Sequence, residues 1–200
     1  MQFARGHAIL ALPVQNARQW EWPVTAEIVH LNLQSLCQPP GMPAVSVSAG
    51  TYFTEAAAVC LEQKHSPGAS LSVKGIATRQ YLLVWPPADD QQRNTHADSQ
   101  DATEHGACAI AFVLCRELTG YKAVQQSRKS TGFDYWLGNE GPELFCARLE
   151  ISGILEGSDT DINSRVKKKK KQTKQSESTG LPAYACIVEF GRPEAHFVQA

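Results

Sequence analysis

The strongest constraint on this chain is the order of hydrophobic periods between residues 101 and 190. A helix capped at Asp101 or Thr103 is expected to run through Leu118 and to stop at Gly120. Its apolar positions, Ala107, Ile110, Ala111, Val113, Leu114 and Leu118, cover most of the circumference, the pattern of a buried helix. Three strand-like segments follow at residues 121–125, 132–137 and 145–151. A polar, lysine-rich helix is predicted over 161–175, then a breaker ending at Pro182, then an apolar strand over 184–190. Helix, three strands, helix, strand is the order of an α/β layer structure with a mixed sheet flanked by helices.

The first ninety residues read as an α+β extension of that core. Alternation predicts half-buried strands at residues 25–33 and 44–48, with the Pro39-Pro40-Gly41 punctuation between them. Thr54 is the expected cap of a helix reaching about Lys64, and residues 70–74 and 80–85 read as a strand pair around Gly75. Residues 86–102 are polar, proline-led and aperiodic, so 91–102 are assigned to a linker or long loop. The expected division is therefore an N-terminal α+β region at 1–90, the linker, and an α/β core at 103–200.

Composition narrows the class further. With 42% hydrophobic and 20% charged residues in 200, the chain is neither disordered nor collagenous nor a coiled coil. The longest apolar run, Ala107 to Cys115, is too short to span a bilayer, so no membrane role is expected. Arg5, His7 and the brief apolar patch ending at Pro13 do not read as a signal peptide. The six cysteines include no CxxC pair, and four lie in apolar segments; free thiols in a reducing cytoplasm are the expectation. A net charge of −1 conceals an asymmetry, since seven of the nineteen cations fall between Arg165 and Lys174. Such a block suits a local polyanion contact; read alone it is equally a solvated face.

Three acids stand at telling places. Glu104 falls in the first turn of the predicted buried helix, where the helix dipole favours its charge. Asp134 lies within TGFDYWLG and Glu150 within ARLEISG. Strand alternation groups Asp134 with Trp136 on one face, and Arg148, Glu150 and Ser152 on one face of the next strand. A lone acid in a near-core strand is costly unless it is paired, hydrogen-bonded or bound to metal. If the two strands are neighbours, the carboxylates converge into a hard-oxygen site suited to Mg²⁺ or Mn²⁺.

This arrangement resembles the PD-(D/E)xK, restriction-endonuclease-like nuclease superfamily over roughly residues 101–193. The matching positions are Glu104 in ATEHGA, Asp134 in GFDY, and Glu150-Ile151-Ser152 in place of (D/E)xK. The resemblance implies a Mg²⁺- or Mn²⁺-dependent endonuclease acting on DNA rather than RNA, with Glu104, Asp134 and Glu150 as metal ligands. Ser152 departs from the family pattern, because a lysine there would position the attacking water. Lys129, Lys171 and Lys174 are the candidates for a relocated lysine, and Gln172 or Gln175 for a glutamine lining the site. Within that frame Arg165, Lys167, Lys168, Lys170, Lys171 and Lys174 become phosphate contacts, and the N-terminal region a specificity, dimerisation or partner-docking module.

Blander readings stand beside these. Glu104 taken singly is a helix-start acid, and Asp134 a strand-start residue with its carboxylate on backbone amides. His105 reads as a surface or satisfied histidine, Tyr135 and Trp136 as packing aromatics, and Cys108 and Cys115 as core. No GxSxG, HExxH or phosphate-cradling glycine loop occurs. The rival functional reading is a catalytically degenerate nuclease fold acting as a structural subunit of a nucleic-acid-processing or defence complex, with a protein partner or a second copy. A third is a cytosolic adaptor in which the lysine run only solubilises.

Overall fold

The computed structural model describes residues 28–139 and 145–200. In chain order it contains β1 (His30–Asn32), α1 (Val47–Leu61), β2 (Ala69–Gly75), β3 (Arg79–Val84), α2 (Asp90–Thr95), α3 (Ser99–Thr119), β4 (Lys122–Gln126), β5 (Tyr135–Gly138), β6 (Ala147–Ile154), α4 (Asp159–Thr173), β7 (Ala183–Glu189) and β8 (Glu194–Gln199). Short 3-10 turns occupy Leu33–Cys37 and Lys174–Thr179. All eight strands join one mixed sheet in the order β1-β3-β2-β8-β7-β6-β5-β4. β4, β5 and β6 form an antiparallel meander, and β7 returns parallel to β6 through α4.

Local chemistry sets the helix boundaries and corrects several expectations. The alternating residues 44–48 are not a strand; the Ser46 hydroxyl accepts the Ala49 N–H at 3.3 Å and starts α1 at Val47. Thr54, the expected cap, lies mid-helix, and its hydroxyl donates to the Leu33 carbonyl at 3.2 Å, tying α1 to the turn after β1. The expected linker 91–102 holds most of α2, whose start is fixed by a reciprocal Asp89–Gln92 capping box, and the first turn of α3. Asp98 caps α3 by accepting the N–H groups of Gln100 and Asp101, so Glu104 falls in the second turn rather than the first. Gly120, left-handed at φ 74°, closes α3 as expected. Of the expected strand at 25–33, residues 25–27 and the N-terminal patch lie outside the described residues.

β8 was not anticipated, and it joins the two halves of the chain. It pairs antiparallel with β7 and parallel with β2. The described part of the N-terminal region therefore extends the same sheet as the C-terminal half instead of forming a separate layer. The larger core lies between the sheet and helices α1 and α3, and takes in Ala57, Leu61, Ile110, Leu114, Leu149, Cys186 and Val188. The alternate residues Ala185 and Ile187 point to the opposite face, under Ile162 and Val166 of α4. β6 is thus covered on both sides, and seven of its eight residues are buried. Gly153 on β6 lets α3 come close: a Cβ there would stand 2.2 Å from the Thr103 carbonyl oxygen. All six cysteines are free thiols, three of them buried.

Candidate active site

The β5–β6 ladder stops one residue early, and that places the first acid. The Asp134 N–H donates to the Leu149 carbonyl at 2.9 Å, and its carbonyl accepts the Ser127 N–H at 2.8 Å. The next N–H on this edge of β6, that of Ile151, has no backbone acceptor on β5 and donates instead to Asp134 Oδ2 at 2.7 Å. The carboxylate therefore replaces a missing rung and is held where the two strands part, just before β5 begins at Tyr135. Pairing of Tyr135 with Leu149 sets Asp134 opposite Glu150, close enough for each carboxyl group to shift the other's titration.

Glu150 is 1% exposed. Its Oε1 accepts from Lys169 Nζ of α4, whereas its Oε2 is buried with no donor among the described residues. Burial, then the neighbouring Asp134 charge, raise the Glu150 carboxyl to about 7, although Lys169 opposes them. Burial also raises Asp134, against the Ile151 N–H and Lys169, with Glu104 adding to the rise. Two neighbouring carboxyl groups, one of them fully buried, resist joint ionisation unless a cation joins them.

Lys169 was missed among the candidate lysines, yet its position was legible. Ile162, Val166, Lys169 and Thr173 follow one another at spacings of four, three and four, the inward stripe of a helix. Ile162 and Thr173 are buried, and Lys169 continues that stripe toward Glu150. Lys171 and Lys174, the expected replacements, line the adjoining hollow, which Asp134 also borders, and among the described residues neither forms an ion pair with Asp134 or Glu150. Ser152 sits on the same face as Glu150, and its hydroxyl accepts from Arg165 Nη1 at 2.7 Å.

Asp134, Ile151, Ser152 and Lys169 line a cleft of about 760 Å³, with Glu150 buried behind it. Glu104, His105 and Cys108 of α3 form one wall, Lys129 stands on the β4–β5 loop, and Arg165, Lys168, Lys169 and Gln172 of α4 form the other wall. Glu104 shares the cleft but does not complete a three-carboxylate centre: among the described residues no group of three or more His, Cys, Asp or Glu side chains could hold a metal ion. Cys108 is pushed up to about 12 by burial and by Asp134 and Glu104, so it stays a thiol. Tyr135 is buried and stacks edge-on against Phe112, and Trp136 packs between Phe133 and Phe145. Both rings are engaged in packing.

A second hollow of about 1070 Å³ opens beside the first and shares Gln126, Lys129, Asp134, Lys168 and Gln172 with it. Lys171, Lys174 and Gln175 line it, together with Arg128 from the β4–β5 loop. Of the six expected phosphate contacts, Arg165, Lys168, Lys171 and Lys174 face one of these two hollows, whereas Lys167 and Lys170 line neither.

No protein-family model matches the chain, and no curated protein or solved structure matches it significantly.

The site is therefore read from its own chemistry. The donor set is two hard carboxylates, one oxygen of which is buried and orphaned, and this fits Mg²⁺ or Mn²⁺ better than a softer ion. Asp134 is oriented by the Ile151 N–H and Glu150 by Lys169, so both candidate ligands are fixed before any ion arrives. Among the described residues no helix is long and apolar enough to cross a membrane.

Proposed function

We propose that the protein is a metal-dependent nuclease that hydrolyses phosphodiester bonds in DNA, built on a restriction-endonuclease-like core formed by α3, β4, β5, β6, α4 and β7. The observation that carries this reading is the pairing of half-buried Asp134 with buried Glu150, with the Lys169 ammonium on one Glu150 oxygen and the other Glu150 oxygen orphaned. An antiparallel meander followed by a helix and a parallel strand supports the same reading.

A Mg²⁺ or Mn²⁺ ion held by Asp134 and Glu150 would polarise the phosphodiester and make hydroxide available near neutral pH. The chain's own groups do the rest. Lys169 favours the ionised form of Glu150 and brings an ammonium to the floor of the cleft, the role that a lysine at position 152 would have filled. Arg165, oriented by Ser152, and Lys168 present cations at the wall where a phosphate enters. Glu104 supplies a further carboxylate on the α3 side, suited to a water-mediated contact rather than direct ligation.

A plasmid-nicking assay with Mg²⁺ or Mn²⁺ tests the proposal. Cleavage that is lost in both Asp134→Ala and Glu150→Ala supports it; absence of cleavage with either metal overturns it. Two observations favour a second reading, a catalytically degenerate subunit that only binds nucleic acid: the converging acids number two rather than three, and the usual lysine position is a serine engaged by Arg165.

A further inference from the structure

The two connected hollows restrict what kind of nucleic acid can reach the carboxylates. We propose that they form a track for one polynucleotide strand, so that the substrate is single-stranded or a frayed or overhanging end, and an intact duplex is excluded. The inference rests on the phosphodiesterase reading of the Asp134–Glu150 pair.

Depth is the first argument. Asp134 lines a cleft walled by α3, the β4–β5 loop and α4, and its partner Glu150, 1% exposed, lies behind that lining. At about 760 Å³ the cleft is of the size that encloses a small-molecule ligand. A stacked duplex carries its phosphates on a wide rigid cylinder, and its backbone cannot descend into such a hollow unless that strand leaves its partner. A lone strand bends freely and can lower one phosphate to the floor.

Charge is the second. The adjoining hollow is lined by Arg128, Lys129, Lys168, Lys171 and Lys174 against a single acid, Asp134. None of these five cations has an ion-pair partner among the described residues. Lys168 to Lys174 spans about 9 Å of helical rise, the length of a few phosphates rather than of a duplex turn. The β4–β5 loop closes the opposite side. Gly132, at φ +86°, seats that loop on α4 so closely that a Cβ would stand 2.5 Å from the Gln172 carbonyl oxygen. The cations thus line an open hollow between α4 and the β4–β5 loop.

Fluorescence anisotropy on the full chain in EDTA measures binding without cleavage. The probes are labelled oligomers of about 12 nucleotides: single-stranded DNA, single-stranded RNA, a blunt DNA duplex, and the same duplex with a single-stranded overhang. The single strand and the overhang are expected to bind about tenfold or more tighter than the blunt duplex at matched salt. The DNA and RNA arms decide which strand chemistry is preferred. The double variant Lys171→Gln/Lys174→Gln, both exposed side chains, is expected to lower the salt slope for the single strand by about 1.4. A blunt duplex bound as tightly as the single strand, or an unchanged salt slope in that variant, overturns the proposal. Strand-selective binding without metal-dependent cleavage would retain the track and remove the nuclease, whereas cleavage of blunt duplex without strand preference would do the reverse.

Discussion

At the scale of single residues, the account turns on where protons and ammonium groups sit around Glu150. Its carboxyl is raised to about 7, so the folded state binds a proton more tightly than the unfolded chain does. That contribution is fully present below the ordinary carboxylate range and is lost as pH rises through about 7. Thermal melts between acid and mildly alkaline pH are therefore expected to show Tm falling across neutrality. Glu150→Gln, which mimics the protonated group, should flatten that fall, and Mn²⁺ should raise Tm more on the alkaline side, where it no longer competes with the proton. Lys169 gives a second prediction. Lys169→Gln should lower metal-dependent cleavage by about 10²–10³-fold, and adding Ser152→Lys should restore part of the loss; no rescue, with binding intact, would deny Lys169 its assigned role. Asp134 and Glu150 were legible as out-of-place acids in apolar strands. Lys169 stands among five consecutive lysines, a charge run that masks the Ile162–Val166–Lys169–Thr173 spacing that singles it out.

At the scale of elements, the site exists because β5 begins late and α3 lies close. The order of helix, three strands, helix and strand was readable because each segment has a clean period and a stop signal such as Gly120. Residues 44–48 were misread because a run of alternating Ala, Val and Ser satisfies a strand pattern while also containing a helix cap. β8 was missed because its Glu-Ala-His-Phe-Val-Gln carries only Ala195 and Phe197 as fully buried apolar residues, too few for periodicity to stand out. The close approach of α3 to β6 depends on Gly153, where a methyl group would meet the Thr103 carbonyl oxygen at 2.2 Å. Gly153→Ala is expected to cost about 1–3 kcal/mol of stability by overpacking, read as a lowered urea midpoint with an unchanged slope. Because Glu104 rides on the same helix, cleavage by this variant should fall further than its folded fraction.

At the scale of the whole molecule, one sheet binds the N-terminal strands to the strands that carry the acids. Its continuity through β2, β8 and β7 is a contact between distant parts of the sequence, which no local pattern announces. The chain should accordingly unfold as one unit: hydrogen exchange is expected to give amides in β2 and β3 the same opening free energy and denaturant dependence as those in β6 and β7. A separate, earlier opening of β2 and β3 would return the N-terminal region to the status of an appended module. Charge is also organised at this scale, with α4 turning Lys169 toward the acids, while Lys171 of α4 and Lys174 at the start of the following 3-10 turn line the basic hollow. The central claim, that Asp134 and Glu150 together hold a divalent ion that drives phosphodiester hydrolysis, is tested most directly by titrating Mn²⁺ against cleavage of a labelled single-stranded oligonucleotide by the parent, Asp134→Asn and Glu150→Gln. The account predicts saturable, Mn²⁺-dependent cleavage in the parent and none in either variant, with both variants folded. Cleavage that persists in either variant, or a parent inert at every Mn²⁺ concentration, would contradict it.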